Sequence, residues 1–329
     1  MTSKHQVLCM GNAIVDIIAR VDDQFLETHG RVKASMMLVD AETSAALYAA
    51  MPPAIERSGG SAGNTAAGIA SFGGTVGYIG KIHDDQLGTV FRHDIQAAGV
   101  SFDTVAASEG APTATSMILL TPDSQRTMNT FLGACVELTP DDILAEDAGD
   151  ADVLYVEGYL WDTPSMKASV LKAFDMAIAA GNKVSLSLSD SFCVDRFRDE
   201  FVDLVENKVD ILFANEDEIK ALYQTDTFEE AVDKLRPHVQ IAALTRSEKG
   251  SVIVSKDGEI TVGAFPATVD DTTGAGDLFA AGFLYGYTNG RSLEDCAKLG
   301  GIAAAEVISH LGARPEVNLQ SLAAEKLGS

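Results

Sequence analysis

Positive charge is what this chain has least of. Its 329 residues carry 24 Lys and Arg against 48 Asp and Glu, a formal net charge of −24. A surface of that sign repels polyanions, which argues against nucleic acid and anionic membrane as partners. Cysteine is scarce too: Cys9, Cys135, Cys193 and Cys296 are widely spaced and form no CxxC pair, which disfavours a zinc site or a redox motif and fits reduced thiols. The six His residues show neither HxxxH nor HxH spacing, so none is assigned to metal or catalysis. No apolar run approaches a membrane span, and the run at 7–10, entered from Met1 through Lys4, is too short for a signal-peptide core. The expectation is a mature, soluble, cytoplasmic protein. No GxGxxG follows a strand, which removes the strongest support for a dinucleotide-binding dehydrogenase, and internal repeats and low-complexity runs are lacking.

What remains is the composition of an ordinary globular enzyme, 46% hydrophobic and 22% charged, long enough for one large α/β domain or two smaller ones. Short β-type runs alternate with helical patterns, the form of a parallel sheet covered by helices. Strands are expected at 7–10, 75–79, 152–156, 183–188, 210–214 and 240–245. Helices are expected at 63–72, 86–98, 165–180, 194–207 and 216–223, with Leu171, Phe174 and Ile178 as a core-facing stripe. Two regions break the rhythm: 14–21 with 35–40, and 114–121 with 126–131, the latter two flanking a hairpin connection at Pro122-Asp123-Ser124-Gln125.

The most informative stretch is Asp271-Thr272-Thr273-Gly274-Ala275-Gly276-Asp277, followed by a small and apolar segment to Tyr287 that reads as a helix. Gly274, Ala275 and Gly276 are small enough for main-chain N–H groups to close around an anion at the helix N-terminus. Asp277 then sits beside that anion. A carboxylate there is costly as a mere cap, whereas a general base needs such proximity to a substrate hydroxyl. Gly-Ala-Gly alone would be an ordinary turn with Asp277 as N-cap; the longer string is more specific. It resembles the second motif of the ribokinase-like (PfkB) small-molecule kinases, in which the last Asp is the catalytic base.

Further segments extend the resemblance in order across the chain. Gly59-Gly60-Ser61-Ala62-Gly63-Asn64 precedes a helix and is not a Walker A loop, since no Gly-Lys-Ser/Thr follows. Read alone it is a loop and cap; by resemblance to the first family motif, Gly60 and Asn64 hold substrate hydroxyls. Gly11-Asn12-Ala13-Ile14-Val15-Asp16 places Asp16 in an apolar run, expensive to bury without donors such as vicinal hydroxyls. The family sets a sugar-binding Asp there, and Asn12 joins the substrate group.

Asn215-Glu216-Asp217-Glu218 caps a helix by default, yet the Asn-x-x-Glu spacing matches kinases of this family. There Asn215 would serve the nucleotide and Glu218 would organise Mg²⁺ through water. Thr245-Arg246-Ser247-Glu248-Lys249-Gly250 resembles the nucleotide loop Thr-x-Gly-x-x-Gly, with Ser247 in place of the first glycine; Thr245, Arg246 and Gly250 are the carried-over residues. Arg126 is a surface charge by default, but lid arginines of related kinases swing toward the phosphates.

The resemblance implies a ribokinase-like α/β fold, mainly parallel sheet between helices, spanning 1–329 as one domain with a small discontinuous β lid at about 14–58 and 112–131. Within the family, adenosine kinases are the nearest in kind, through residues 11–16, Leu188-Ser189-Asp190-Ser191-Phe192 and Val209-Asp210-Ile211-Leu212-Phe213-Ala214-Asn215-Glu216. Tyr159 and Trp161 stand where that group places base-stacking side chains, although core packing is an equal reading for each. The implied reaction is transfer of the ATP γ-phosphate to the adenosine 5′-hydroxyl, with Mg²⁺ and, as a further candidate, a monovalent cation such as K⁺. Ribose, fructose, inosine and guanosine are alternative acceptors, a non-catalytic ligand-binding regulator is a reading from another class, and the expected state is a monomer or homodimer.

Overall fold

The computed structural model describes residues 4–123, 125–144 and 148–328. Ser124 of the expected hairpin connection and Met1 of the N-terminal reading lie outside them. Among the described residues, thirteen strands fall into two sheets.

The larger sheet runs β13-β12-β11-β10-β9-β8-β1-β5, with β1 (His5–Met10), β5 (Val76–Ile79), β8 (Ala151–Glu157), β9 (Lys183–Ser187), β10 (Ile211–Asn215) and β11 (Ile241–Thr245) parallel, as the alternation predicts. An antiparallel pair, β12 (Ser251–Ser255) and β13 (Gly258–Val262), extends one edge. β1 shows how both faces are used: Val7 and Cys9 enter one apolar cluster, Leu8 and Met10 the other, the two-residue period of a strand buried on both sides. The first cluster lies under the helices Ser61–Ser71, Ala275–Thr288 and Leu293–Val307, the second under Pro164–Ala180 and Ser191–Asn207. In a parallel sheet all carboxyl ends share one edge, and the turns there carry the candidate residues.

The strands outside the alternation form the second sheet, ordered β3-β7-β6-β2-β4: β2 (Ile14–Arg20), β3 (Met36–Leu38), β4 (Ile55–Ser58), β6 (Ala114–Leu120) and β7 (Arg126–Phe131). Periodicity separates these pieces; long-range pairing joins them, with β2 parallel to β6 and antiparallel to β4.

One expected core residue is corrected. In the Pro164–Ala180 helix Met166, Val170, Ala173, Phe174 and Ala177 face the sheet, Leu171 flanks them, and Ile178 is 46% exposed. The small Ala173 and Ala177 let the helix lie close, and that choice of face turns Ile178 outward. No helix among the described residues is long and apolar enough to cross a membrane.

Candidate active site

The Ala275–Thr288 helix starts at Gly274, whose φ of +76° suits glycine and whose missing side chain leaves room for Ala313, which a Cβ would meet at 2.8 Å. Ala275 N–H bonds back to Thr272 O at 3.3 Å, and the helical ladder begins with Leu278 on Gly274 O at 2.8 Å. The amides of Gly274, Gly276 and Asp277 are left without an acceptor among the described residues, the ordinary condition of a helix start open to an anion. Behind this turn the helix is fixed by contact with its neighbour: at Gly282 a Cβ would meet the backbone of Leu299 at 2.5 Å.

Asp277 lies in that first turn, tied to the first residues of the Ser61–Ser71 helix. Ser61 Oγ donates to its Oδ1 at 2.6 Å and Asn64 Nδ2 to its Oδ2 at 2.9 Å, while Thr65 Oγ1 donates to its backbone carbonyl at 3.1 Å. Burial raises the Asp277 carboxyl above the ordinary value, and the two side-chain donors with the Arg314 charge oppose it. A raised carboxylate held by two donors at a helix N-terminus has the geometry of a positioned base.

Asp16 reaches the same space from β2. Burial pushes its carboxyl up to about 6 against the pull of Arg314, Arg126 and Arg57, with Asp277 adding to the rise. Gly59 lies flat against it: a Cβ there would fall 2.3 Å from Oδ2. Gly60, at φ +81°, lies over the carbonyl of Asn12, which a Cβ would meet at 2.2 Å. Two further acceptors, Asn12 Oδ1 and Asn64 Oδ1, are buried with no hydrogen-bond partner. Buried unpaired acceptors are costly, and hydroxyl donors of a ligand would satisfy them.

A residue the sequence reading missed organises this wall. Glu157, the last residue of β8 and 1% exposed, accepts from Asn12 N at 2.9 Å and Ala62 N at 2.7 Å. Its carboxylate therefore ties the β1 turn to the start of the Ser61–Ser71 helix. Burial pushes it up to about 7, the two amides opposing. The available signal was a lone Glu ending the apolar run Val153-Leu154-Tyr155-Val156, the pattern that did draw notice at Asp16.

At the carboxyl end of β10, Asn215 and Glu218 form a reciprocal cap: Asn215 Oδ1 accepts from Asp217 N and Glu218 N, while Glu218 accepts from Asn215 N at 2.9 Å and Nδ2 at 2.6 Å. Arg246 is committed to Glu216 at 2.8 Å and lies 3.9 Å over the Phe228 ring, so its guanidinium braces the loop and is already paired. Ser247, in place of the glycine, adopts φ +48°, and Gly250 N closes the turn onto Ser247 O at 3.0 Å. Thr245 ends β11 beside Asn215, its register partner.

Residues 53–319 match the description "pfkB family carbohydrate kinase". The chain belongs to the PfkB family. A sugar kinase of Archaeoglobus fulgidus, itself uncharacterized, is 30% identical over 251 residues, 75% of this chain and 96% of that protein. Two solved structures resemble the PfkB chain over its length. A probable sugar kinase protein from Rhizobium etli has a TM-score of 0.91 at 53% identity, covering 99% of each chain. An adenosine kinase from Sinorhizobium meliloti has a TM-score of 0.90 at 52% identity, covering 99% of this chain and 100% of that one. The ribokinase-like fold and a phosphotransferase activity with an alcohol acceptor follow from membership.

PfkB kinases use ATP with Mg²⁺, and the acids here fit that ion only at one remove. Glu218 is 6% exposed with both oxygens taken by Asn215, and among the described residues no group of three or more His, Cys, Asp or Glu side chains is placed to hold a metal. Glu218 would therefore serve the ion only indirectly, through Asn215 and water, since Mg²⁺ keeps several waters. The aromatic pair of this PfkB chain divides. Tyr159 is 37% exposed, its hydroxyl 3.4 Å from Ser189 O. Trp161, expected beside it, is 4% exposed, packs on Phe201 and donates from Nε1 to Glu200 at 2.9 Å. The short 3₁₀ turn Gly158–Trp161 sends the two rings different ways, so the expectation of Trp161 as a stacking wall is corrected to core packing.

Proposed function

We propose that this PfkB kinase transfers the γ-phosphate of ATP to the 5′-hydroxyl of adenosine, giving AMP. The observation that carries the acceptor choice is the 52% identity to an adenosine kinase across 99% of the chain. The local chemistry supports it: Asp16, Asn12 Oδ1 and Asn64 Oδ1 supply acceptors for vicinal ribose hydroxyls, and Tyr159, which the Asp277 and Glu157 charges reach, offers a partly exposed ring for a base. Asp277 takes the proton from the attacking hydroxyl, while the open amides of Gly274, Gly276 and Asp277 stabilise charge on the transferring phosphoryl group. Mg²⁺, when bound, would supply positive charge to offset that of the phosphates, with Glu218 and Asn215 as the residues that would hold it through water. The second sheet, at about 14–58 and 112–131, acts in this reading as a lid on a single domain.

A free-sugar acceptor is the second reading, favoured by the equal likeness, 53% identity, to the Rhizobium etli probable sugar kinase protein and by the Archaeoglobus sugar kinase, because the acceptor wall needs only paired hydroxyls. Coupled ADP release with adenosine, inosine, guanosine, ribose, fructose or no acceptor, with and without K⁺, decides between them. Turnover on ribose or fructose exceeding that on adenosine overturns the adenosine reading.

A further inference from the structure

Arg314 lies beyond every motif described above, in the segment that follows the Leu293–Val307 helix. Its guanidinium grips the loop that joins the two sheets. Nε and Nη2 donate to Ser58 O at 3.1 and 2.9 Å, Nη2 also to Ser58 Oγ at 2.9 Å, and Nη1 to Gly63 O at 2.8 Å. Ser58 ends β4 of the second sheet, and Gly63 lies in the first turn of the Ser61–Ser71 helix. Between these two points the chain lays Gly59 against Asp16, Gly60 over Asn12, and Ser61 onto Asp277.

We propose that Arg314 is a positioning residue for phosphoryl transfer, a fork that clamps residues 58–63 and so sets the separation of the acceptor-binding Asp16 from the base Asp277. The proposal rests on the kinase reading of those two carboxylates.

A surface pocket of about 550 Å³, lined in part by Ile55, Arg57, Ala67, Asp94 and Arg314, opens on the outer side of Arg314. The close packing of Gly59 and Gly60 fills the loop's inner side, and the directional hydrogen bonds of Arg314 fix its path from the other. A planar fork suits that task, because its donors address two carbonyls five residues apart in one plane, which a Lys ammonium cannot do. The charge acts as well. Asp16 from β2, Asp94 from the Gln86–Ala97 helix, Tyr78 from β5 and Asp277 from the Ala275–Thr288 helix all face Arg314, with Arg57 of β4 and Arg126 of β7 as the other cations around Asp16. A cation favours the ionised form of both carboxyls, so its removal moves their titration to higher pH.

The test compares wild type, Arg314→Gln and Arg314→Lys in the full chain. Amide hydrogen exchange at residues 59–63 is read alongside acceptor KM, kcat and the pH profile of kcat/KM. Both variants should exchange Gly59 and Ala62 amides, which bond Ile14 O and Glu157 in the intact loop, at least about tenfold faster, and should raise acceptor KM about tenfold or more. Arg314→Gln should also move the acid limb upward by roughly half to one pH unit, whereas Arg314→Lys should leave it in place. Exchange at 59–63 unchanged in either folded variant overturns the clamp, as does unchanged acceptor KM in Arg314→Lys. A wild type that turns over no acceptor sinks the kinase reading instead, and hydrogen exchange then judges the clamp by itself.

Discussion

Arg126 of β7 and Asp271 tie the second sheet to the turn before the Ala275–Thr288 helix: Nη1 lies 2.5 Å from Oδ1, with the side chains 13% and 3% exposed. Asp271 also accepts from Thr273 N and Gly312 N at 3.0 Å each. Burial pushes its carboxyl up, but the Gly312 and Thr273 amides and the Arg126 charge outweigh that and hold it low. The second sheet thus reaches the first residue of the anion-binding motif through a partly buried ion pair. Arg126→Ala should lower kcat and kcat/KM together with binary ATP binding nearly intact, the pattern of a contact made in the transition state. The two amides left on Asp271 should limit the stability loss to about 1–3 kcal/mol in a urea titration. Unaltered kinetics with only the stability loss would leave the pair a structural brace.

Asp277→Asn keeps the shape and the Ser61 contact while removing the base. Turnover should fall roughly 10²–10⁴-fold with ATP affinity little changed. In the wild type the base works only when deprotonated, and burial raises its carboxyl above the ordinary range. Activity should therefore be present above that raised value and lost as pH falls through it. Near-normal turnover in the variant would sink the assignment.

Glu157 gives stability an unusual pH slope. Its carboxyl titrates near 7 in the fold, against 4.5 ordinarily, so between those values the folded chain holds a proton that the unfolded chain has released. Stability from this group is greatest below about 4.5 and declines as pH rises to about 7, by on the order of 3 kcal/mol for the whole window. Glu157→Gln removes that slope. The difference in unfolding free energy between wild type and variant should shift by this amount in the variant's favour between pH 4.5 and 7.5, and a constant difference would refute the buried titration.

Tyr159 and Trp161 should separate cleanly. Trp161→Ala should cost about 3–5 kcal/mol in unfolding free energy, as for a large ring removed from a core. Tyr159→Ala should leave the unfolding midpoint almost in place and raise KM for adenosine. A KM unaffected by Tyr159→Ala would remove that ring from the acceptor site.

Ser247 occupies the left-handed region at φ +48°, a conformation that costs a residue with a Cβ about 1–2 kcal/mol. Ser247→Gly should relieve part of this and raise stability by about 0.5–1 kcal/mol with KM for ATP unchanged, measured by thermal unfolding and initial rates. Destabilisation would mean that the Ser side chain holds the loop in a way the backbone angle does not reveal.

Much of this was legible beforehand where local signal and function coincide. The parallel strands declared themselves as apolar runs, and the 271–277 string combined glycine, anion and helix start in one place. The antiparallel β12 and β13 went unread although Asp257-Gly258 marks their turn, because the pair follows the last parallel strand with no helix between and so falls outside the strand–helix alternation. Glu157 and Arg314 were missed for a different reason: each acts on loops far from it in sequence, Glu157 on Asn12 across 145 residues and Arg314 on Gly63 across 251. Trp161 was placed by type rather than direction, and a 3₁₀ turn decides direction only once Phe201 and Glu200 have packed around it.

Asp277 is separated from Ser61 by 216 residues and from Asn64 by 213. The helix that carries Ser61 and Asn64 leaves the ribosome long before the carboxylate it will hold has been synthesised, and its Gly68 must later receive Leu278 and Ala281 in direct contact. Until then this apolar surface is uncovered, a hazard for a chain whose central contacts are so non-local. Loss of the chain from Leu278 onward would leave the same surface bare, and loss from Arg314 onward would already remove the clamp. Nascent and truncated forms should therefore be substrates for chaperones and proteases, and enzyme activity should arise as a single late event in biosynthesis.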